Sequence, residues 1–305
     1  DDSIWKEPSG GHSKRKKGGL PRLDYLTSAG HRAFKECIAM SRPALIIGVV
    51  EKDGWRAGDR WMSADTLRQH YGDVMFDLSH RWLPGVRLPL WRYIEYTLQN
   101  SAANPFYLWH STRLDWGGKG FTGSQRPLLQ DFKTPSWFSE DVYDWLGIHG
   151  GPFTYFLCGG QGTGSKLHVD PMGTCAWNTL LCGSKRWCLF PPTHPSIPEA
   201  EYKKIIGATD EFTSRSSPCT VWWETIYPKV KAREKELGMV ECLQRSGETL
   251  FVPAEWWHNV LNMDFTIAIT RNHMLAEMVP QALKSFQNGT PDMVTHGEAM
   301  LRGIK

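Results

Sequence analysis

Two histidines and an aspartate have the residue types and the spacing for a metal centre. His168 and Asp170 lie two positions apart in the run Gly164-Ser-Lys-Leu-His-Val-Asp-Pro171. Read as a strand, this run points both side chains to the same face of a sheet. With His258 as a third ligand from a second strand, they would form the 2-His-1-carboxylate triad that binds Fe(II) in non-haem proteins and leaves coordination positions open. Because the chain has 11 histidines, an HxD triplet alone arises easily by chance.

The elements around these residues predict a barrel of short strands. Predicted strands cover residues 106–109, 154–158, 175–181, 186–190, 248–252, 259–262 and 266–270. Short strands at this spacing, separated by glycine- and proline-containing turns, are typical of a barrel or jelly roll of the cupin type. Such a barrel binds its ligands at an open mouth.

The rest of the chain is predicted to flank this barrel with helices. The predicted parts are a basic flexible arm (1–19), an N-terminal α/β support region (20–105), a double-stranded β-helix domain (106–273) and a C-terminal helical tail (274–305). Within them we predict strands at 43–50 and 74–76, helices at 63–71, 89–98 and 139–146, and a mixed, partly helical segment at 191–237. The fold class is therefore mainly β with flanking helices.

Composition is that of a folded protein with no pronounced charge. The 305 residues are 41% hydrophobic and 22% charged, with a net charge of +3, which is ordinary for a globular chain. The 15 tryptophans favour aromatic-rich β packing and deep pockets. Seven cysteines without a CxxC pair argue against a disulfide framework or a zinc site and favour a reducing nucleus or cytoplasm.

Two features bear on partners. The longest apolar run, residues 44–50, is too short to span a bilayer, so no membrane association is expected. The basic cluster Lys14, Arg15, Lys16 and Lys17 fits a nuclear localisation signal or a weak contact with RNA phosphates, although a solvated mobile arm is an equally good interpretation. The tail at 274–305 either packs on its own domain or forms a homodimer interface.

Two separated blocks of the chain carry a combination of motifs. The first is His168-Val-Asp-Pro-Met-Gly-Thr-Cys-Ala-Trp-Asn178, followed by Gly183-Ser-Lys-Arg-Trp-Cys-Leu-Phe-Pro191. The second runs from Gly247 through Trp256-Trp-His-Asn to Asn262 and continues at Thr266-Ile-Ala-Ile-Thr-Arg-Asn272. Together the two blocks resemble the JmjC dioxygenase family. Within this family the chain is most similar to the bifunctional arginine demethylase and lysyl-hydroxylase branch, once described as a phosphatidylserine receptor. The resemblance covers roughly residues 40–272.

The resemblance implies a cupin-type double-stranded β-helix that uses Fe(II), 2-oxoglutarate and O2. Lys185 is implied as the cation that binds the distal carboxylate of 2-oxoglutarate, with neighbouring Arg186 as the alternative cation. Thr270 is the expected hydroxyl partner. Asn178, Ser165 and Tyr107 are implied as further contacts, and Thr163 competes with Ser165 for its role.

The implied reaction couples decarboxylation of 2-oxoglutarate to oxidation of a substrate C–H bond. We expect a protein hydroxylase acting on lysine side chains of Lys/Arg-rich nuclear and RNA-associated proteins. The same chemistry on an N-methyl group removes it as formaldehyde, so demethylation of methyl-arginine or methyl-lysine is the alternative. A catalytically silent cupin that binds peptide or RNA is an alternative of another class, and fold alone does not exclude a metal-dependent hydrolase or isomerase.

Overall fold

Two β-sheets pack face to face around the predicted site. The computed structural model describes residues 20–77, 86–99, 105–111, 123–142, 154–213 and 218–280, without the side chains of residues 123 and 124. The strands are β1 (Arg22–Asp24), β2 (Ala44–Ile47), β3 (Met75–Asp77), β4 (Arg87–Pro89), β5 (Leu108–Ser111), β6 (Thr154–Gly159), β7 (Cys175–Cys182), β8 (Ser184–Phe190), β9 (Val240–Arg245), β10 (Glu248–Val252), β11 (Trp257–Asn262) and β12 (Thr266–His273).

The larger sheet has seven strands in the order β1-β2-β10-β7-β12-β6-β5, and the smaller has three in the order β11-β8-β9. Only the β1–β2 pair is parallel among the neighbouring strands of these two sheets. Side chains from both sheets meet in one buried cluster, which contains Leu45, Ala176, Trp187, Leu189, Cys242, Leu250, Val252, Trp256 and Val260. The predicted mainly β, jelly-roll architecture is confirmed.

Helices flank the sheets on the outside. They are α1 (Ser28–Ala39), α2 (Val49–Lys52), α3 (Ala57–Arg60), α4 (Ala64–Tyr71), α5 (Leu90–Gln99), α6 (Glu199–Ile206), α7 (Asp210–Thr213), α8 (Cys219–Thr225) and α9 (Tyr227–Ala232). Short 3-10 turns occupy Gly123–Gln130, Ser136–Phe138, Pro171–Gly173 and Ala276–Met278. Within the described ranges, no helix is both long and apolar enough to cross a membrane.

Strand β12 shows how alternation separates the barrel interior from the outer core. Ile267 and Ile269 belong to the large cluster formed with the N-terminal helices. Ala268 lies on the other side and packs with Leu157 and Leu180. Successive side chains of a strand point to opposite faces, so Thr270 lies on the same inward face as Ala268. The alternation predicted for this strand is confirmed.

Helix α5 holds the edge strand β5 in place. The hydroxyl of Tyr93, which is fully buried, donates to the carbonyl of Cys158 at 2.7 Å and accepts from the backbone N–H of Leu108 at 2.9 Å. A buried hydroxyl that donates and accepts in this way has its hydrogen-bonding capacity satisfied. The helix therefore fixes the start of β5, where Tyr107 lies.

Several predicted elements have different bounds in the structure. The strand predicted at 43–50 ends at Ile47, because Gly48 adopts a left-handed φ of 95° and the chain continues as helix α2. The helix predicted at 63–71 is confirmed, with Ser63 capping α4 by accepting from the backbone N–H of Thr66. The predicted helix at 139–146 lies mostly outside the described residues, as do the basic arm and most of the C-terminal tail.

Candidate metal centre

The run that carries His168 and Asp170 is not the strand that its alternation predicted. It is an extended loop with a single β-bridge between His168 and His258, and it turns into the 3-10 segment Pro171–Gly173 directly after Asp170. The two histidines exchange both backbone hydrogen bonds, at 3.0 and 2.9 Å. A proline after Asp170 limits further pairing, because proline lacks the N–H that a ladder needs. Convergence of the three side chains therefore depends on this bridge.

The three side chains direct one ligand atom each toward a common point. The Nε2 atom of His168 lies 3.9 Å from Oδ1 of Asp170, and Nε2 of His258 lies 3.9 Å from Oδ2 of Asp170. All three ligand atoms fall within 4.8 Å of one another. His258 is buried, whereas His168 keeps a third of its side chain exposed. The predicted triad is brought together, with its more accessible side at His168.

Hydrogen bonds orient both imidazoles for metal binding. Nδ1 of His168 lies 2.6 Å from the carbonyl oxygen of Lys166, and Nδ1 of His258 lies 3.0 Å from that of Trp256. Since a carbonyl oxygen only accepts, each Nδ1 is assigned the proton and each Nε2 keeps its lone pair. A metal-binding histidine is commonly held in place by such a hydrogen bond from the ring nitrogen that does not bind the metal.

Charge and burial also favour a cation at this point. The pKa of His258 is lowered to about 4, chiefly by burial and also by the neighbouring His168, against the opposing effect of Asp170. Oδ2 of Asp170 is buried, and it has no hydrogen-bond partner among the described residues. A buried carboxylate oxygen without a partner is costly unless a cation binds it. Two imidazoles and one carboxylate are a ligand set that fits Fe(II).

A second polar cluster lies inside the barrel around Lys185. The Lys185 ammonium is 1% exposed and donates to the Tyr107 hydroxyl at 3.1 Å and to Oδ1 of Asn262 at 2.6 Å. The amide of Asn262 in turn donates to Thr163 Oγ1 at 2.7 Å. Desolvation lowers the pKa of Lys185 to about 7. Gly159 makes room for this cluster, since a Cβ there would lie 2.5 Å from the Tyr107 ring.

Arg186, the alternative cation, lies on the opposite face of β8. Its guanidinium donates to Glu241 Oε1 at 2.7 Å and to the Tyr227 hydroxyl at 2.6 Å. It also lies over the ring of Trp223, 5.2 Å from the centroid. These contacts lie outside the barrel, so the geometry favours Lys185 over Arg186 as the carboxylate-binding cation.

Asn178 and Thr270 face each other across β7 and β12. Directly opposed residues of antiparallel strands share a face. Oδ1 of Asn178 is buried without a hydrogen-bond partner in the described part of the chain, and Thr270 donates to the Trp177 carbonyl at 3.0 Å. Both positions are compatible with the predicted co-substrate pocket, and their roles stay predictions.

Thr163, rather than Ser165, contacts the Lys185 cluster through a side chain. Ser165 instead makes contacts through its backbone carbonyl, which accepts from Val260 N–H at 2.9 Å and from the Cys219 thiol. Asn262, which the sequence analysis missed, was detectable by alternation, since His258, Val260 and Asn262 share one face of β11.

The matches to known proteins agree with this geometry. A family model described as "JmjC domain, hydroxylase" matches residues 155–273, which contain all three candidate ligands. The bifunctional arginine demethylase and lysyl-hydroxylase psr-1 of Caenorhabditis briggsae is 30% identical over 284 residues, which is 92% of this chain and 68% of that protein. The chain belongs to the JmjC family.

Other JmjC relatives are longer than this chain. The psr-1 protein of Caenorhabditis elegans is 30% identical over 83% of this chain, which spans 61% of that relative's length. The lysine-specific demethylase JMJ21 of Arabidopsis thaliana is 32% identical over 77% of this chain, but the match covers only 23% of the plant protein. The resemblance inferred from the two sequence blocks is confirmed.

Proposed function

We propose that this JmjC chain is an Fe(II)- and 2-oxoglutarate-dependent protein oxygenase that hydroxylates lysine side chains. The convergence of His168 Nε2, His258 Nε2 and the Asp170 carboxylate within 4.8 Å is the observation that carries the proposal. A binding module has no need for two oriented imidazoles facing a buried, unpartnered carboxylate oxygen. This argues against the catalytically silent alternative.

In the proposed site, His168, Asp170 and His258 hold the iron. Bound Fe(II), together with 2-oxoglutarate and O2, supplies oxidation of a substrate C–H bond coupled to decarboxylation of 2-oxoglutarate to succinate and CO2. Lys185 would bind the distal carboxylate of 2-oxoglutarate, held in place by the Tyr107 hydroxyl and Asn262, which contact its ammonium. Asn178 and Thr270, which are opposed on β7 and β12 of the larger sheet, would contact the same co-substrate.

Demethylation of methyl-arginine or methyl-lysine is the second candidate. It is favoured by the names of the relatives, since the psr-1 proteins are described as arginine demethylase and lysyl-hydroxylase and JMJ22 of Arabidopsis thaliana as an arginine-specific demethylase. Both outcomes use one oxidation at one iron site. The position of the substrate carbon relative to the iron decides between them.

One assay tests the proposal and separates its two forms. Purified protein is incubated with Fe(II), 2-oxoglutarate and a Lys/Arg-rich peptide library that includes N-methylated members, and succinate and peptide mass are followed together. A gained oxygen atom indicates hydroxylation, and a lost methylene indicates demethylation. His168→Ala is expected to form no succinate, whereas His70→Ala, a change at an exposed histidine on α4, keeps wild-type turnover. Absence of succinate with the wild-type protein under all conditions would remove the enzyme proposal.

The proposed partners are peptides and proteins rich in lysine and arginine. We retain a nuclear or cytoplasmic location as a proposal, supported by seven cysteines that are all unpaired thiols. The proposed RNA contact through residues 14–17 lies outside the described residues, as does most of the proposed dimer interface in the tail.

A further inference from the structure

Trp109 is a large aromatic side chain left exposed on the barrel-facing side of an edge strand. It lies on β5, the last strand of the seven-stranded sheet, and is 43% exposed. Its cross-strand partner on β6 is Leu157, which packs inside the barrel. The preceding residue, Leu108, packs in the outer core. Alternation therefore places the Trp109 indole on the face that carries the site.

A continuous row of side chains connects Trp109 to the proposed co-substrate pocket. Asn178 lies opposite Thr270, Thr270 opposite Tyr155, and Tyr155 opposite Ser111, so the row crosses β7, β12, β6 and β5. The Trp109 ring contacts the Tyr155 ring with centroids 5.5 Å apart at an interplanar angle of 72°. The indole therefore lies next to the end of this row, on the same edge strand as Ser111.

Tyr107 provides a second connection. Its ring contacts Trp109 at a centroid distance of 6.1 Å and an angle of 81°, and its hydroxyl accepts from Lys185 at 3.1 Å. Two edge-to-face contacts hold the indole in a fixed orientation. A rigid aromatic surface binds a ligand with little loss of side-chain entropy.

The chemistry of this face suits a cation. The barrel-facing residues of this edge are Tyr107, Trp109, Ser111, Tyr155 and Leu157, and none of them carries a carboxylate. The group on this edge that can attract an organic cation is the π face of the exposed Trp109 indole, the best side chain for such a contact. An exposed indole costs little to desolvate, whereas a carboxylate would have to lose tightly bound water.

We propose that Trp109, positioned by Tyr155, forms a cation–π subsite that binds a lysine or arginine side chain of the substrate peptide. This inference rests on the proposed function, because it assigns to the oxygenase a means of selecting basic peptides. The subsite is separate from the iron ligands and from Lys185. Its loss is therefore expected to reduce peptide selectivity and to leave 2-oxoglutarate binding unchanged.

The test compares two fluorescently labelled peptides that differ at one central position, lysine in one and norleucine, a neutral side chain with the same number of side-chain carbons, in the other. Binding to the full chain is measured by fluorescence anisotropy. The wild-type protein is expected to prefer the lysine peptide by about 3- to 10-fold, the size of a partly exposed cation–π contact. Trp109→Leu is expected to bind both peptides equally, and Trp109→Phe to retain part of the preference. Trp91→Leu, which removes a half-buried tryptophan from α5, keeps the wild-type ratio.

Two results would overturn the subsite. One is a wild-type protein that binds the norleucine peptide as tightly as the lysine peptide, which would indicate an apolar contact. The other is a lysine preference that survives Trp109→Leu, with circular dichroism showing an intact fold. Succinate formation from 2-oxoglutarate is measured in the same preparations. Absence of succinate in the wild-type protein would contradict the proposed function. A lysine preference that depends on Trp109 in the same samples would still support a cation-binding subsite.

Discussion

Lys185 and Arg186 are neighbours on β8, yet they place two buried cations in opposite environments. Outside the barrel, Arg186 is 3% exposed and forms an ion pair with Glu241 at 2.7 Å. Inside the barrel, the Lys185 ammonium has two neutral partners, the Tyr107 hydroxyl and the Asn262 amide oxygen. Within the described ranges, no carboxylate lies at ion-pair distance from Lys185.

We propose that this difference separates a cation with a structural role from a cation that binds a ligand. The charge of Arg186 is compensated by the protein itself, so its contacts stabilise the packing of α9 on the smaller sheet. The charge of Lys185 is not compensated, and desolvation lowers its pKa to about 7. A buried lysine in this condition is ready to bind an anion, and strongly shifted groups of this kind concentrate at functional sites. The environment of Lys185 on the inner face of β8 therefore supports the proposed ligand-binding role.

The largest expected effect is a loss of stability when the Arg186–Glu241 ion pair outside the barrel is broken. Among the described residues, Arg186→Met leaves Lys231 and Tyr227 as the partners of the Glu241 carboxylate, which is 5% exposed. We expect the free energy of unfolding to fall by about 3 kcal/mol, because removing one partner leaves a buried charge poorly compensated. Urea denaturation followed by circular dichroism measures the change.

Lys185→Met is the matched change on the inner face. The loss of its hydrogen bonds is offset by removal of a desolvated cation, so stability is expected to change by less than about 1 kcal/mol. Equal destabilisation by the two variants would contradict the distinction between the faces.

The second effect is on the affinity for 2-oxoglutarate. Lys185→Met is expected to raise the Kd about 100-fold, because a charge-assisted bond to a carboxylate contributes about 1.5–3 kcal/mol. Isothermal titration calorimetry measures it, with Mn(II) replacing Fe(II) to prevent turnover. Lys203→Met, a change at a surface lysine paired with Glu199, serves as the control. An unchanged Kd in Lys185→Met would assign the carboxylate to another residue.

The third effect is a pH dependence of the same affinity. Since the pKa of Lys185 is lowered to about 7 in the free protein, the ammonium is charged below pH 7 and increasingly neutral above it. A carboxylate favours the charged form and raises the pKa of the lysine on binding. The Kd for 2-oxoglutarate is therefore expected to be flat below pH 7 and to rise by up to about tenfold per pH unit above it.

Calorimetry between pH 6 and pH 9 gives this profile. Lys185→Arg provides the comparison, because a guanidinium stays charged throughout this range. Its profile is expected to be flat, even if its overall affinity is lower. A wild-type slope that persists in Lys185→Arg would trace the dependence to another group.

The smallest effect distinguishes Thr163 from Ser165. Thr163→Val removes the acceptor of the Asn262 amide and the donor to the Gly160 carbonyl. A loss of about 1–2 kcal/mol in stability is expected from these buried bonds, and 2-oxoglutarate binds several-fold more weakly because Asn262 is less well oriented. Ser165→Ala is expected to behave like the wild type in both measurements. If Ser165→Ala instead lowered stability and 2-oxoglutarate affinity more than Thr163→Val does, Ser165 would be the contacting hydroxyl.

Much of the barrel was predictable because its strands are short, β-rich and bounded by turns. Strands β6, β7, β8, β10 and β12 lie within a few residues of their predicted bounds. The strand predicted at 43–50 was too long because β-branched composition continues through Val49 and Val50, although Gly48 turns the chain. Composition cannot show where a left-handed glycine redirects the backbone.

The site was predictable by residue type but not by local conformation. The run with His168 and Asp170 was wrongly predicted as a strand, since its only bridge is to His258, far away in sequence. The choice between Lys185 and Arg186 also depended on a distant residue, Glu241, which pairs with Arg186 from β9. Contacts between residues that are far apart in the sequence cannot be predicted from the local sequence pattern.

The central claim is that three side chains distant in sequence hold one iron beside the Lys185 pocket. Anaerobic titration of Fe(II) into the protein with saturating 2-oxoglutarate tests it, because the iron–2-oxoglutarate complex absorbs visible light by charge transfer. We predict an absorption band that saturates at one Fe(II) per chain in the wild type and in His70→Ala and is lost in His258→Ala. A band of wild-type intensity and affinity in His258→Ala would contradict the proposed triad.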